Sequence, residues 1–118
     1  MPGNRFYHNP RCRKSREGLK IVQDRGLDVE IIEYLKQPPA QKELKYILDG
    51  LDKKPLELIR TQEKLFKELD LKKSDRRTDA EWIKIMTAHP LLIERPILIY
   101  KDKVALGRPP EALLKIID

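Results

Sequence analysis

Residues 5–35 read RFYHNPRCRKSREGLKIVQDRGLDVEIIEYL, and the pattern of their apolar residues changes twice. RFY (5–7) is a short extended run that stops at Asn9-Pro10, a pair that favours a turn. From Cys12 onward, Leu19, Ile21 and Val22 give a helical face that closes at Gly26, a residue suited to the position after a helix. Residues 29–35 are rich in β-branched side chains and read as a second strand. A helix of this length between two strands predicts a βαβ unit, whose strands lie parallel.

Outward from that unit, the period becomes helical. Pro38-Pro39 opens a long middle stretch in which Leu44, Ile47, Leu48 and Leu51 recur at helical spacing. Pro55 suits a helix start and is followed by Leu56 and Ile59, then by RTQEKLFKEL. Thr78 and Glu81 form a capping-box pair ahead of Trp82, Ile85 and Met86, and His89-Pro90 ends the stretch. The period then returns to two. PILIY (96–100) and KVALG (103–107) flank Lys101-Asp102 and predict a hairpin, after which Pro109 and Pro110 start a terminal helix bearing Leu113, Leu114 and Ile117. The expected fold is therefore α/β with one mixed sheet, in the order β-α-β, helices, β-β-α. It is one domain over residues 1–118 with a helical insertion at about 38–92.

At 118 residues the chain suffices for one core. Its 40% hydrophobic and 37% charged residues are those of a globular protein with a charged surface. The net charge of +6 favours anionic partners, but 19 acids are dispersed among 25 Lys and Arg, as on solvated helix faces. Aromatic residues make up only 6% and do not alternate with basic ones, which argues against stacking on nucleic acid. No apolar run approaches the ~20 residues that cross a bilayer, and the first residues carry no signal-peptide pattern. One cysteine forms no internal disulfide, so a reducing cytoplasm is the expected location.

That cysteine, Cys12, lies among Arg11, Arg13, Lys14 and Arg16, at the predicted start of a helix. Unpaired N–H groups, the positive helix end and nearby cations all favour thiolate over thiol. Cations in a first helical turn go against the usual preference for acids there, and a bound anion would resolve the conflict. The plainer reading, a small buried hydrophobe, fits poorly because no apolar residue lies between Arg11 and Gly18. Ser15 could turn its hydroxyl toward Cys12 across the first turn, and His8 could support the thiolate; each could equally be structural. His8 and Cys12 alone are too few ligands for zinc. Arg60, Arg95 and Arg108 stand at element junctions, and forked guanidinium groups suit tetrahedral oxyanions.

Four segments, YHNPRCRKSRE, LIRTQEKLFKEL, HPLLIERPILI and GRPPE, together resemble the glutaredoxin-linked arsenate reductases, the ArsC branch of the ArsC/Spx family. The resemblance runs from Tyr7 to the final helix. It implies a thioredoxin-like fold with a helical insertion, a cis bond at Arg95-Pro96, and a role in arsenic resistance. It further implies that Cys12 is the nucleophile attacking arsenate, that Arg60, Arg95 and Arg108 bind the oxyanion, and that His8 and Ser15 favour the thiolate. No bound cofactor is implied; glutathione is the expected co-substrate, and glutaredoxin the partner that recycles the mixed disulfide. Two alternatives stand beside this reading. One is a glutathione-dependent thiol oxidoreductase without arsenate specificity. The other is a Spx-like regulator that binds RNA polymerase, although the Cys-x-x-Cys switch usual there is Cys12…Ser15 here.

Overall fold

The computed structural model describes residues 3–117. Its contacts divide the chain into two compact units, one made of the residues up to Gln37 together with those from Arg95 onward, the other of Pro38–Glu94.

The first unit holds a four-stranded sheet. Strand β1 (Arg5–His8) leads through a turn into helix α1 (Arg13–Asp24) and on to β2 (Glu30–Glu33). The hairpin strands β3 (Ile97–Tyr100) and β4 (Lys103–Leu106) complete a sheet of order β2-β1-β3-β4. β1 pairs parallel to β2 and antiparallel to β3, so the sheet is mixed, as expected. This is the thioredoxin-like arrangement. In register across it, Phe6 faces Leu98 and Leu98 faces Ala105. That row joins Val22 of α1 and Leu113 to form the core. The hairpin turn places Lys101 at φ 49° and Asp102 at φ 65°, the left-handed pair that matches the twist of two antiparallel strands. Asn4 Oδ1 accepts the Lys101 N–H at 2.9 Å and ties the turn to the chain before β1.

Three details depart from the sequence reading. β2 is shorter than residues 29–35, because the N–H groups of Lys36 and Gln37 both donate to the Glu33 carbonyl and wrap the chain into a turn. In α1 the buried face is Ser15, Gly18 and Val22, with Leu19 and Ile21 at its margin. The terminal helix begins as a 3₁₀ turn, Pro110–Leu113, before α6 (Leu114–Ile117).

The second unit contains α2 (Gln41–Leu51), α3 (Pro55–Leu58), α4 (Lys64–Glu68) and α5 (Asp79–Ala88). Leu44, Ile47, Leu58, Met86, Leu92 and Ile93 are among its fully enclosed residues. Thr78 caps α5 as its sequence predicts: Glu81 N–H donates to Thr78 Oγ1 at 3.1 Å, and Thr78 N–H to Glu81 Oε1 at 2.8 Å. Trp82 stacks on Phe66 with ring centroids 6.3 Å apart and carries Arg77 over its ring. Helix α3 stops at Ile59, which turns extended and bridges to Ile93. The Arg60 N–H donates to the Leu92 carbonyl and Glu94 N–H to the Leu58 carbonyl, so two strand-like bonds replace helical ones.

Candidate active site

The turn from β1 to α1 is built by Asn9. Its carbonyl accepts the Cys12 N–H at 3.0 Å, its Oδ1 accepts the Arg11 N–H at 3.0 Å, and its own N–H donates to Ser15 Oγ at 2.9 Å. An Asn-Pro pair often closes on itself in this way, because a short amide side chain can accept from the backbone two residues on. These bonds leave Cys12 at the N-cap of α1, extended at φ −98° and ψ 123°, with its carbonyl accepting the first helical bond from Arg16 N–H.

Cys12 is largely enclosed, at 9% exposure, and the same stretch carries His8, Asn9 and Ser15, the buried polar residues of the chain's described part. Burial pushes the thiol up. Against it act the Ser15 N–H, the charge and a side-chain hydrogen bond of Arg95, and the Lys14 N–H; together they prevail and lower the pKa. The sulfur closes no strict cap hydrogen bond in this geometry, so the two N–H groups act on it as nearby oriented dipoles. First-turn acids, which would compete for that helix end, are absent from α1.

The cation that acts on the sulfur is thus Arg95, from the start of the hairpin, and not the local cluster. Arg11, Arg13, Lys14 and Arg16 are all exposed, and Arg16 Nη1 donates to the Pro10 carbonyl at 3.0 Å. Adjacency in sequence spreads consecutive side chains around a helix, whereas Arg95 approaches from another element. Arg95 is half-buried and joined to Pro96 by the cis bond that the sequence resemblance implies; Arg108-Pro109 is a second cis bond.

Ser15 and His8 meet, but differently from the sequence reading. Ser15 Oγ shares a 2.7 Å hydrogen bond with His8 Nδ1 while accepting the Asn9 N–H. What Cys12 receives from Ser15 is its backbone N–H. Burial holds the His8 imidazole below its ordinary value; the charge of Glu33, aligned with His8 across the β1–β2 pair, opposes this, and Arg16 adds to it.

Arg60 belongs to the second unit and is paired there, Nη1 to Glu63 Oε2 at 3.2 Å and Nε to Glu94 Oε1 at 3.8 Å. Arg108 is exposed just after β4, its N–H donating to the Leu106 carbonyl at 2.9 Å. Among the described residues, no three His, Cys, Asp or Glu side chains gather as a metal site would. Among the same described residues, no helix is long and apolar enough to cross a membrane. The sequence reading did not single out Asn9 as a site organiser, nor Glu63 and Glu94 as partners of Arg60. The Asn-Pro turn pointed to the first; the acids, common surface types, carried no signal.

Residues 7–116 match the ArsC family. An arsenate reductase of Neisseria meningitidis is 37% identical over 118 residues, covering 99% of this chain and 100% of that one. The protein YfgD of Escherichia coli K12, whose name carries no activity, is 40% identical over 114 residues, 96% of this chain and 95% of its own. Among solved structures, an arsenate reductase from Vibrio cholerae superposes with a TM-score of 0.88 at 37% identity, covering 98% of this chain and 99% of that one.

Proposed function

Because the chain belongs to the ArsC family, we propose that it is an arsenate reductase whose nucleophile is the Cys12 thiolate. The observation that carries this reading is the thiol at the start of α1, lowered by two backbone N–H groups and by Arg95. A thiolate is the attacking form, and the same donors suit a tetrahedral oxyanion. The names of the relatives from Neisseria meningitidis and Vibrio cholerae support arsenate as that oxyanion.

In the proposed reaction the Cys12 sulfur attacks arsenic(V). The S–As bond forms as one arsenate oxygen leaves, protonated, as water. Reduction to arsenite takes two electrons, supplied as two thiols become one disulfide. The sequence holds one cysteine, so the other thiol comes from outside. Glutathione is that thiol, and glutaredoxin reduces the resulting mixed disulfide. The action of Arg95 on the Cys12 thiol supports it as an oxyanion-binding residue; Arg60 and Arg108 enter in that role on the family resemblance alone. His8 and Ser15 act indirectly, by fixing the first turn of α1 so that its N–H groups face the sulfur.

The test is arsenate turnover coupled to glutathione and glutaredoxin. Wild-type protein turns over and Cys12→Ser does not; turnover retained by Cys12→Ser sinks the proposal. YfgD, equally similar but without a named activity, keeps a second reading open, a glutathione-dependent thiol oxidoreductase indifferent to arsenate. Reduction of a glutathione mixed disulfide without any arsenate turnover would favour it.

A further inference from the structure

The two halves of the thiol site come from different elements, Cys12 from the start of α1 and Arg95 from the chain entering β3. Arg95 acts on the Cys12 thiol through its charge and its side chain, both lowering the pKa, so the place of its guanidinium matters. The residue bonded to it, Pro96, is buried. A Cβ added at Gly18 would fall 2.8 Å from Pro96 Cγ, and one added at Gly107 would fall 2.7 Å from the same atom. Both are closer than real Cβ atoms come. The next neighbours, Leu113 at 3.2 and 3.3 Å and Phe6 at 3.3 Å, are core residues with no exposure. Gly107 also ties down the backbone, its N–H donating to the Pro96 carbonyl at 2.8 Å. Gly18 lies in the interior of α1, where alanine is the better helix former, so local propensity does not account for it.

We propose that Gly18 and Gly107 are positioning residues for Arg95: by presenting no Cβ to the Pro96 ring, they let it seat against α1 and the end of β4, and so hold the guanidinium at Cys12. Proline Cγ can yield only as far as the pucker of a ring closed on the main chain allows, so pressure beyond that passes to the main chain and to the residue before it. The inference rests on the thiol reading of the site. It is tested by the state of the sulfur and not by turnover, so its failure is separable from a failure of arsenate reduction.

The experiment is the pH dependence of Cys12 alkylation by iodoacetamide. Arg95→Ala raises the midpoint by about one pH unit, the scale of one charged hydrogen bond. Gly18→Ala and Gly107→Ala each raise it in the same direction, and neither adds to the rise already present in Arg95→Ala. Val22→Ala, a truncation in the same core, lowers thermal stability without moving the midpoint. Should a glycine variant not fold alone, it is read in the Leu113→Ala background, where the second neighbour of each added Cβ is cut back; its midpoint also rises there, relative to Leu113→Ala. A midpoint that the glycine substitutions leave unchanged, in the wild-type or the Leu113→Ala background, overturns the proposal. So does a glycine effect that adds in full to that of Arg95→Ala.

Discussion

His8 Nδ1 and Ser15 Oγ lie 2.7 Å apart, both in buried side chains, and the bond joins the end of β1 to the first turn of α1. The Asn9 N–H is donated to the same oxygen, so one hydroxyl gathers a strand end, a turn and a helix start. Ser15 is completely enclosed, and no water replaces it cheaply.

Ser15→Ala should therefore leave the Asn9 N–H without its acceptor. A buried unpaired donor costs about 1–3 kcal/mol, which urea unfolding would register. Because the first turn loosens with it, the midpoint for Cys12 alkylation should rise as well. An unchanged midpoint would leave the His8–Ser15 bond a purely structural one.

The lowered thiol makes stability depend on pH. The folded state holds Cys12 below its ordinary 9.0, so near neutral pH the unfolded chain binds more protons at this site. Stability from this source is fully present above 9.0 and is lost as pH falls through the folded value. Wild-type protein should gain stability relative to Cys12→Ser as pH rises from 6 to 9, roughly. A constant difference in unfolding free energy across that window would contradict the assignment.

His8 gives the same sign at lower pH. Burial keeps its folded value under 6.5, so the unfolded state takes up the proton first. Stability is intact above 6.5 and declines as pH drops toward the folded value. His8→Asn should flatten that decline. Thermal midpoints measured between pH about 7 and 5 would show it.

Arg60 is held between Glu63 and Glu94, all three side chains about a quarter exposed. Partial exposure screens such pairs, so Arg60→Ala should cost on the order of 1 kcal/mol of stability. Part of that cost should return when Glu63→Gln is added, since the acid no longer lacks its cation. A double-mutant cycle by chemical denaturation measures the coupling.

Thr78→Ala removes the cap of α5 and should destabilise by about 1 kcal/mol. The loss is local to an exposed helix end, so the Cys12 alkylation midpoint is expected to stay where it is.

Much of this was readable along the chain because it rests on short-range chemistry. The period of apolar residues marked β1, α1 and the hairpin; Thr78 and Glu81 reach each other within one helical turn. The places where reading failed are those where a distant partner overrode local preference. Ile59 leaves its helix because Ile93 offers it a strand-like bridge. β2 ends early because Glu33 accepts two N–H bonds from the residues that follow.

The amino-acid order alone determined that a single thiol would stand at a helix start, beyond an Asn-Pro turn, in a chain whose two β-rich ends enclose a helical middle. Tertiary structure decided which cation reaches that thiol: the adjacent Arg11, Arg13, Lys14 and Arg16 are exposed, while Arg95 acts on the sulfur. The reason is geometric. Charges next to one another on a helix point in different directions, whereas strand pairing and the close seat of Pro96 against Gly18 and Gly107 can aim one side chain at one atom.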